Sequence, residues 1–226
     1  MEVIASSDRP KVGPILIDLD GTLVSLNPPR DELENLRKDV TSISRTFGVS
    51  LDTTSIFPMY RSVLALLGFD SAPAVSIRER LDQSEVLWSR TTAQSLVARS
   101  VLEHAAEVRP LVLVTSNGTA CVHALFGGDL LPNVFTALVT RDDVADLKPA
   151  AYPIAEALRR APTGCALADF VGDSAADRDS ALAYEKGRGR SIPAMRFHLV
   201  GTGRTAEAKC VTDVLQMLTS GSQIDA

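Results

Sequence analysis

The sequence predicts an α/β fold in which a parallel sheet is covered by helices and an all-helical segment is inserted near the start. Three observations carry this. Short apolar runs bounded by turn residues recur as ILID at 15–18, LVLVT at 111–115, VFTALVT at 134–140, LADFVGD at 167–173 and MRFHLV at 195–200, the pattern of buried parallel strands. Helical stretches alternate with the later ones, and alternating strand and helix with short links means a parallel sheet. Between the first run and the second lie roughly ninety residues without a strand pattern, whose apolar residues step by three and four.

The first strand leads into Asp18 and Asp20. Side chains two apart on a strand share a face, so the two carboxylates are expected to aim at one point. Asn27-Pro28-Pro29 then supplies a stiff exit, with Asp31 as a helix cap. Leu33, Leu36, Val40, Ile43 and Phe47 predict one helix of the insertion. Further helices are suggested by Tyr60, Val63, Leu64 and Leu67, by Ile77, Leu81 and Trp88, and by Leu96 through Leu102. The domains follow: 13–25 with 94–220 as the core, and 26–93 as the helical insertion. After the second strand come helices at ACVHALF, stopping at Gly127-Gly128, at AAYPIAEALRR, and from Ser174 to Glu185. The first dozen residues and the tail from Ser220 are expected to be mobile.

Composition excludes several classes. The chain has 226 residues, 45% of them hydrophobic and 23% charged, ordinary for a globular protein of this size. A net charge of -5 argues against a nucleic-acid surface, which needs clustered Lys and Arg, and favours small molecules and a cation as partners. No apolar run approaches the ~20 residues that span a bilayer, and MEVIASSDRPKVG has no apolar core of signal-peptide type, so no membrane partner and a cytoplasmic location are expected. Cys121, Cys165 and Cys210 are scattered without CxxC spacing and read as small core residues. His104, His123 and His198 are equally dispersed and suggest no metal cluster.

In open α/β sheets ligands sit beyond the carboxyl ends of the strands. Those ends here carry Asp18 and Asp20, Thr115-Ser116-Asn117, and Asp173 through Asp177, while Lys148-Pro149 opens the helix between the third and fourth core strands. Four converging carboxylates, Asp18, Asp20, Asp173 and Asp177, would repel by about 4 kcal/mol per pair at 4 Å and an effective dielectric near 20, so they require counter-charge. Lys148 and a divalent cation would supply it, and all-oxygen ligands suit Mg²⁺. A hydroxyl followed by free N–H groups at a helix start is an anion site.

The stretches DLDGTLV, VTSNGT, VTRDDVADLKP and VGDSAADRDSA resemble the four ordered motifs of the haloacid dehalogenase superfamily, in its phosphatase branch with a helical cap inserted after the first motif. The resemblance covers nearly the whole chain from Gly13. It implies a Rossmann-like parallel sheet in the order 5-4-1-2-3 and a cap over its carboxyl edge. By resemblance Asp18 is the nucleophile that takes a phosphoryl group. Mg²⁺ is held by Asp18, the backbone carbonyl of Asp20 and Asp173, with Asp177 supporting the metal waters or Lys148. Asp20 is the general acid and base, and Lys148 neutralises charge. Thr115 or Ser116 supplies the second motif's hydroxyl, with Thr115 favoured, and Ser116, Asn117 and Lys148 join Thr115 in binding a small phosphorylated substrate.

Each motif alone has a plainer use: DxDGT as a turn with capping acids, GDSxxD as a helix N-cap, and Lys-Pro as nothing in particular. Their order and placement favour function. The implied activity is Mg²⁺-dependent phosphate monoester hydrolysis. A sugar phosphomutase using the same Asp18, and an idle module that binds a phosphorylated ligand or partner, remain alternatives. A dehalogenase is disfavoured by Asp20, and a phosphonate hydrolase would need Lys38, the only lysine of the insertion, for a Schiff base. Arg30, Arg61, Arg78 and Arg90 are the insertion's polar candidates for substrate contact. The loop Lys186-Gly187-Arg188-Gly189-Arg190 reads as a solvated turn, and in GTGRT at 201–205 Thr202 and Arg204 are weaker candidates.

Overall fold

A computed structural model of the chain describes residues 12–49, 55–162, 165–189, 193–201 and 210–220. The first strand, β1 (Val12–Ile17), is followed by a two-residue strand β2 (Val24–Ser25) and the helices α1 (Arg30–Thr46), α2 (Ile56–Leu67) and α3 (Ala72–Thr91). A second two-residue strand, β3 (Gln94–Ser95), precedes α4 (Arg99–Val108), β4 (Leu111–Val114), α5 (Thr119–Gly127) and β5 (Ala137–Val139). The chain ends with α6 (Tyr152–Arg160), β6 (Leu167–Gly172), α7 (Ala175–Gly187), β7 (Ala194–Leu199) and α8 (Val211–Thr219).

Five strands form one sheet in the order β5-β4-β1-β6-β7, with every pairing parallel. Counted among themselves in chain order and taken from the β7 edge, they run 5-4-1-2-3. The order explains the apolar runs. β1 lies at the centre, so Ile15, Leu16 and Ile17 are fully buried, as are all four residues of β4. On the insertion, Leu36 and Val40 repeat at helical spacing and are buried, and α1, α2 and α3 pack on one another.

Several expectations need correction. The stretch between the first strand and β4 is not free of strands, because β2 and β3 pair antiparallel, Val24 opposite Ser95 and Ser25 opposite Gln94. Strands of two residues show no periodicity, which is why pattern reading passes over them. Asp31 is not the cap of α1: Pro29 occupies that position without a side-chain cap, and Asp31 lies in the first turn, where its charge still suits the helix dipole. The fourth predicted helix begins at Arg99 rather than Leu96, whose N–H instead bonds the Leu23 carbonyl at 2.8 Å beside the ribbon. Only Cys121 is a core cysteine, since Cys165 is half-buried and Cys210 exposed. Among the described residues no helix is long and apolar enough to cross a membrane. Arg188 pairs with Glu185 at the end of α7, while Arg190, Thr202, Arg204 and both chain ends lie outside the described residues.

Candidate active site

The carboxyl ends of β1, β4 and β6 converge on Lys148. Its Nζ donates to Asp18 Oδ1 at 2.5 Å and to Asp177 Oδ1 at 2.6 Å, and it also reaches the Val114 carbonyl at 3.2 Å. Carboxylate oxygens of Asp18, Asp173 and Asp177 lie within 4.8 Å of one another. Asp18 extends the β1 ladder by one bond, from its N–H to the Val171 carbonyl at 2.9 Å, and so its side chain is aimed by the sheet itself. The Thr22 hydroxyl sits between Asp18 Oδ2 at 3.3 Å and Asp173 Oδ1 at 3.5 Å. Ser174 caps α7 reciprocally with Asp177: Ser174 N–H donates to Asp177 Oδ2 at 3.0 Å, and Asp177 N–H to Ser174 Oγ at 3.2 Å. The plain capping role of GDSxxD is therefore real, and it is also what fixes Asp177 on Lys148.

Asp18 and Asp20 do not share a target through strand alternation. β1 ends at Ile17, and the chain turns through Gly21, whose φ of +90° favours glycine and where a side chain would overlap the Asp173 carboxylate. Asp18 is buried beside Lys148, whereas Asp20 keeps solvent access and accepts the Leu26 N–H at 3.0 Å. That bond ties Asp20 to the first residue past the ribbon. Asp20 does not join the close carboxylate group of Asp18, Asp173 and Asp177.

The electrostatics follow from burial. Loss of water raises Asp18 to about 7 against the pull of Lys148, with Asp177 and Asp173 adding to the rise. Burial alone would lower Lys148, but Asp18 and Asp177 outweigh it and hold the ammonium above its ordinary value. Partial loss of water raises Asp20, which the Leu26 N–H opposes and Glu85 reinforces, and raises Asp173, which Asp177 reinforces. Three carboxylates around one ammonium leave surplus negative charge. The oxygen-only donor set and that surplus fit a hard divalent cation, for which Asp18 and Asp173 would be the side-chain ligands.

The turn after β4 departs from the expected anion site. Thr115 is buried, and its Oγ1 donates to Asn117 Oδ1 at 2.9 Å while accepting the Asn117 N–H at 3.0 Å. Two N–H groups at the start of α5 are taken: Gly118 donates to Glu85 Oε2 at 2.9 Å and Thr119 to Asp142 Oδ2 at 2.8 Å. Thr115 N–H is spent on the Val139 carbonyl. Among the described residues, Ser116 N–H is the amide of this turn left without a partner.

Glu85, Arg141, Asp142 and Thr22 were not singled out from sequence. Thr22 stood inside the DGT stretch, but Glu85 and Arg141 are ordinary charged residues whose proximity is visible only in the fold. Of the arginines of the insertion, Arg61 reaches the site's edge, donating to the Lys148 carbonyl at 2.7 Å. Arg78 lies 4.4 Å over the Phe69 ring, and Arg30, Arg90 and Lys38 are exposed.

Neither a family model nor a curated protein sequence matches the chain. Solved structures do. A haloacid dehalogenase-like hydrolase from Bacteroides fragilis is 18% identical with a TM-score of 0.54, covering 86% of this chain and 90% of that one. A hydrolase of the same superfamily from Ehrlichia chaffeensis is 16% identical with a TM-score of 0.53, over 95% of this chain and 98% of that one. CbbY from Rhodobacter sphaeroides, in complex with phosphate, is 20% identical with a TM-score of 0.53, over 88% and 90%. The chain has the fold of the haloacid dehalogenase-like hydrolases.

Proposed function

We propose that the chain is a Mg²⁺-dependent phosphomonoesterase that acts on a small phosphorylated metabolite through an aspartyl-phosphate on Asp18. The observation that carries this reading is the Asp18 carboxylate itself: buried, with one oxygen on Lys148 and the other facing Asp173 across the Thr22 hydroxyl. Two solved structures of similar fold support it, since CbbY is in complex with phosphate and a variant of it with xylulose-(1,5)-bisphosphate.

The substrate's phosphoryl group binds beyond β4, where the Ser116 N–H donates to it, Thr115 Oγ1 turns its proton from Asn117 Oδ1 to a phosphoryl oxygen, and Lys148 balances its charge. Asp18 attacks phosphorus, a P–O bond forms to its carboxylate, and the bond to the leaving oxygen breaks as Asp20 gives that oxygen a proton. Asp20 then takes a proton from water as the water attacks phosphorus, and the Asp18–phosphorus bond breaks to release phosphate. The raised value of Asp20 suits it to hold a proton for the first step. Mg²⁺ held by Asp18, Asp173 and the Asp20 carbonyl, with Asp177 in support, would offset charge on the phosphate oxygens. The segment 26–93 acts as a cap domain on the core of 13–25 and 94–220, and its helices would exclude water and set substrate preference. A cytoplasmic location belongs to the same reading.

Purified protein is expected to hydrolyse a generic aryl phosphate with Mg²⁺ and to lose that activity with chelator. In ¹⁸O-labelled water each released phosphate gains one solvent oxygen. Isomerised sugar phosphate with little labelled phosphate would assign a mutase instead, and no turnover of any phosphorylated metabolite would overturn the enzyme reading.

A further inference from the structure

The phosphate-binding turn is held from both sides by an ion pair that straddles the inserted helices and the core. Arg141, in the 3-10 turn after β5, is fully buried. Its guanidinium meets Glu85 of α3 as a fork, with one nitrogen at 2.7 Å from Oε1 and the other at 3.0 Å from Oε2, and it also pairs with Asp82 of α3. Both partners then grip the turn. Arg141 donates to the Ser116 carbonyl at 2.9 Å, its own N–H bonds the Asn117 carbonyl at 3.0 Å, and Glu85 Oε2 accepts the Gly118 N–H. Gly118 allows the approach, because a side chain there would overlap both Asp82 and the Arg141 guanidinium. The peptide from Ser116 to Asn117 is thus fixed on its carbonyl side by Arg141, and the next amide by Glu85.

We propose that Glu85 and Arg141 are positioning residues that couple docking of α3 to the shape of the turn 115–118, so that the Ser116 N–H is aimed at the phosphoryl group only while the inserted helices sit on the core. This rests on the phosphatase reading of the site. Neither residue touches substrate. Glu85 acts by holding the Gly118 N–H, without which the turn relaxes. Because the turn binds phosphate in ground state and transition state alike, its loosening raises KM more than it lowers kcat. A merely structural role would instead lower the folded fraction, and so apparent kcat, at unchanged KM.

The test compares wild type, Glu85→Ala and Glu85→Gln. The glutamine keeps an acceptor for the Gly118 N–H; the alanine does not. In Glu85→Ala, KM for an aryl phosphate and the inhibition constant of inorganic phosphate are expected to rise together by about tenfold, the loss of one hydrogen bond to the turn, with Glu85→Gln close to wild type. Hydrogen exchange at the amides of 117–119 should speed up in Glu85→Ala and stay slow in Glu85→Gln. Unchanged KM and inhibition constant, or equal exchange in all three proteins, would overturn the coupling. If the wild type turns over no phosphate ester, the phosphatase reading fails, and the exchange arm still decides whether Glu85 holds the turn.

Discussion

β6 carries one aspartate near its start and leads into another just past its end, and their surroundings are opposite. Asp169, near the start of the strand, is fully buried against two guanidinium groups and an imidazole: Arg109 at 2.8 Å, Arg196 at 2.8 and 3.2 Å, and His198 at 2.8 Å. Asp173, roughly 13 Å further along at about 3.3 Å per residue and half-buried, stands among anions and receives the Thr22 hydroxyl and its own backbone N–H, with no cation bonded to it among the described residues. Burial raises Asp169's pKa, but the bonds from His198, Arg196 and Arg109 outweigh it and hold the carboxyl far below the ordinary range. The same residue type is saturated at one end of the strand and left in surplus at the other. A saturated charge holds the fold; an unsaturated one is available to bind a cation or a substrate.

The largest expected effect is at the surplus end. Asp18→Asn should lower kcat for an aryl phosphate by about 10⁴-fold or more, since an amide neither attacks phosphorus nor leaves from it, while the melting temperature of the metal-free protein holds or rises. Steady-state kinetics beside thermal unfolding checks both halves, and full activity would remove Asp18 as nucleophile.

Asp169→Asn should do the reverse. It leaves Arg109 buried and short of a partner and is expected to cost about 3–5 kcal/mol in denaturant unfolding, with the site's chemistry intact in the folded fraction. The sign with pH follows from a folded value below the unfolded one. Asp169's contribution is fully present above the unfolded carboxylate range, about pH 4, and is lost as pH falls through the folded value. The gap between wild type and variant should therefore stay constant from neutral pH to about pH 5 and close only in stronger acid.

Asp173→Asn sharpens the contrast further. Activity at fixed Mg²⁺ is expected to drop at least about a hundredfold, yet the metal-free protein should gain about 1 kcal/mol because one of three crowded carboxylates loses its charge. A loss of stability in this variant would mean that the cluster is a structural knot rather than a site. The smallest effect belongs to neither cluster: Trp88→Phe removes the indole bond to Glu32 at 2.6 Å that links α3 to α1, and should cost about 1 kcal/mol without altering Mg²⁺ dependence.

The surplus end was legible in the sequence and the saturated end was not. Asp18, Asp173, Asp177 and Lys148 stand at strand ends and helix starts, in stretches whose residue types are unusual together, and the apolar runs locate those ends without any knowledge of pairing. Asp169 reads as an interruption in a strand. Its partners come from the residue that follows α4 and from two positions on β7, so only the sheet order makes the arrangement visible. Glu85 and Arg141 escaped for the same reason. The turn after β4 reads from sequence as open, yet two of its amides are taken, because the carboxylates that accept them arrive from α3 and from the turn after β5.

The ribbon of β2 and β3 has a consequence for how the chain finds this arrangement. β1 must pair with β4 across roughly ninety intervening residues, a long loop to close for a strand at the centre of the sheet. Val24 opposite Ser95, with the Thr92 hydroxyl on the Leu26 carbonyl at 2.6 Å, pins the two ends of the insertion side by side. Once pinned, the path from β1 to β4 shrinks to the short links on either side of the ribbon, which lowers the closure entropy by roughly 1 kcal/mol. Four residues of strand let the helices assemble as a self-contained excursion while the central pairing behaves as if its partners were near neighbours in sequence.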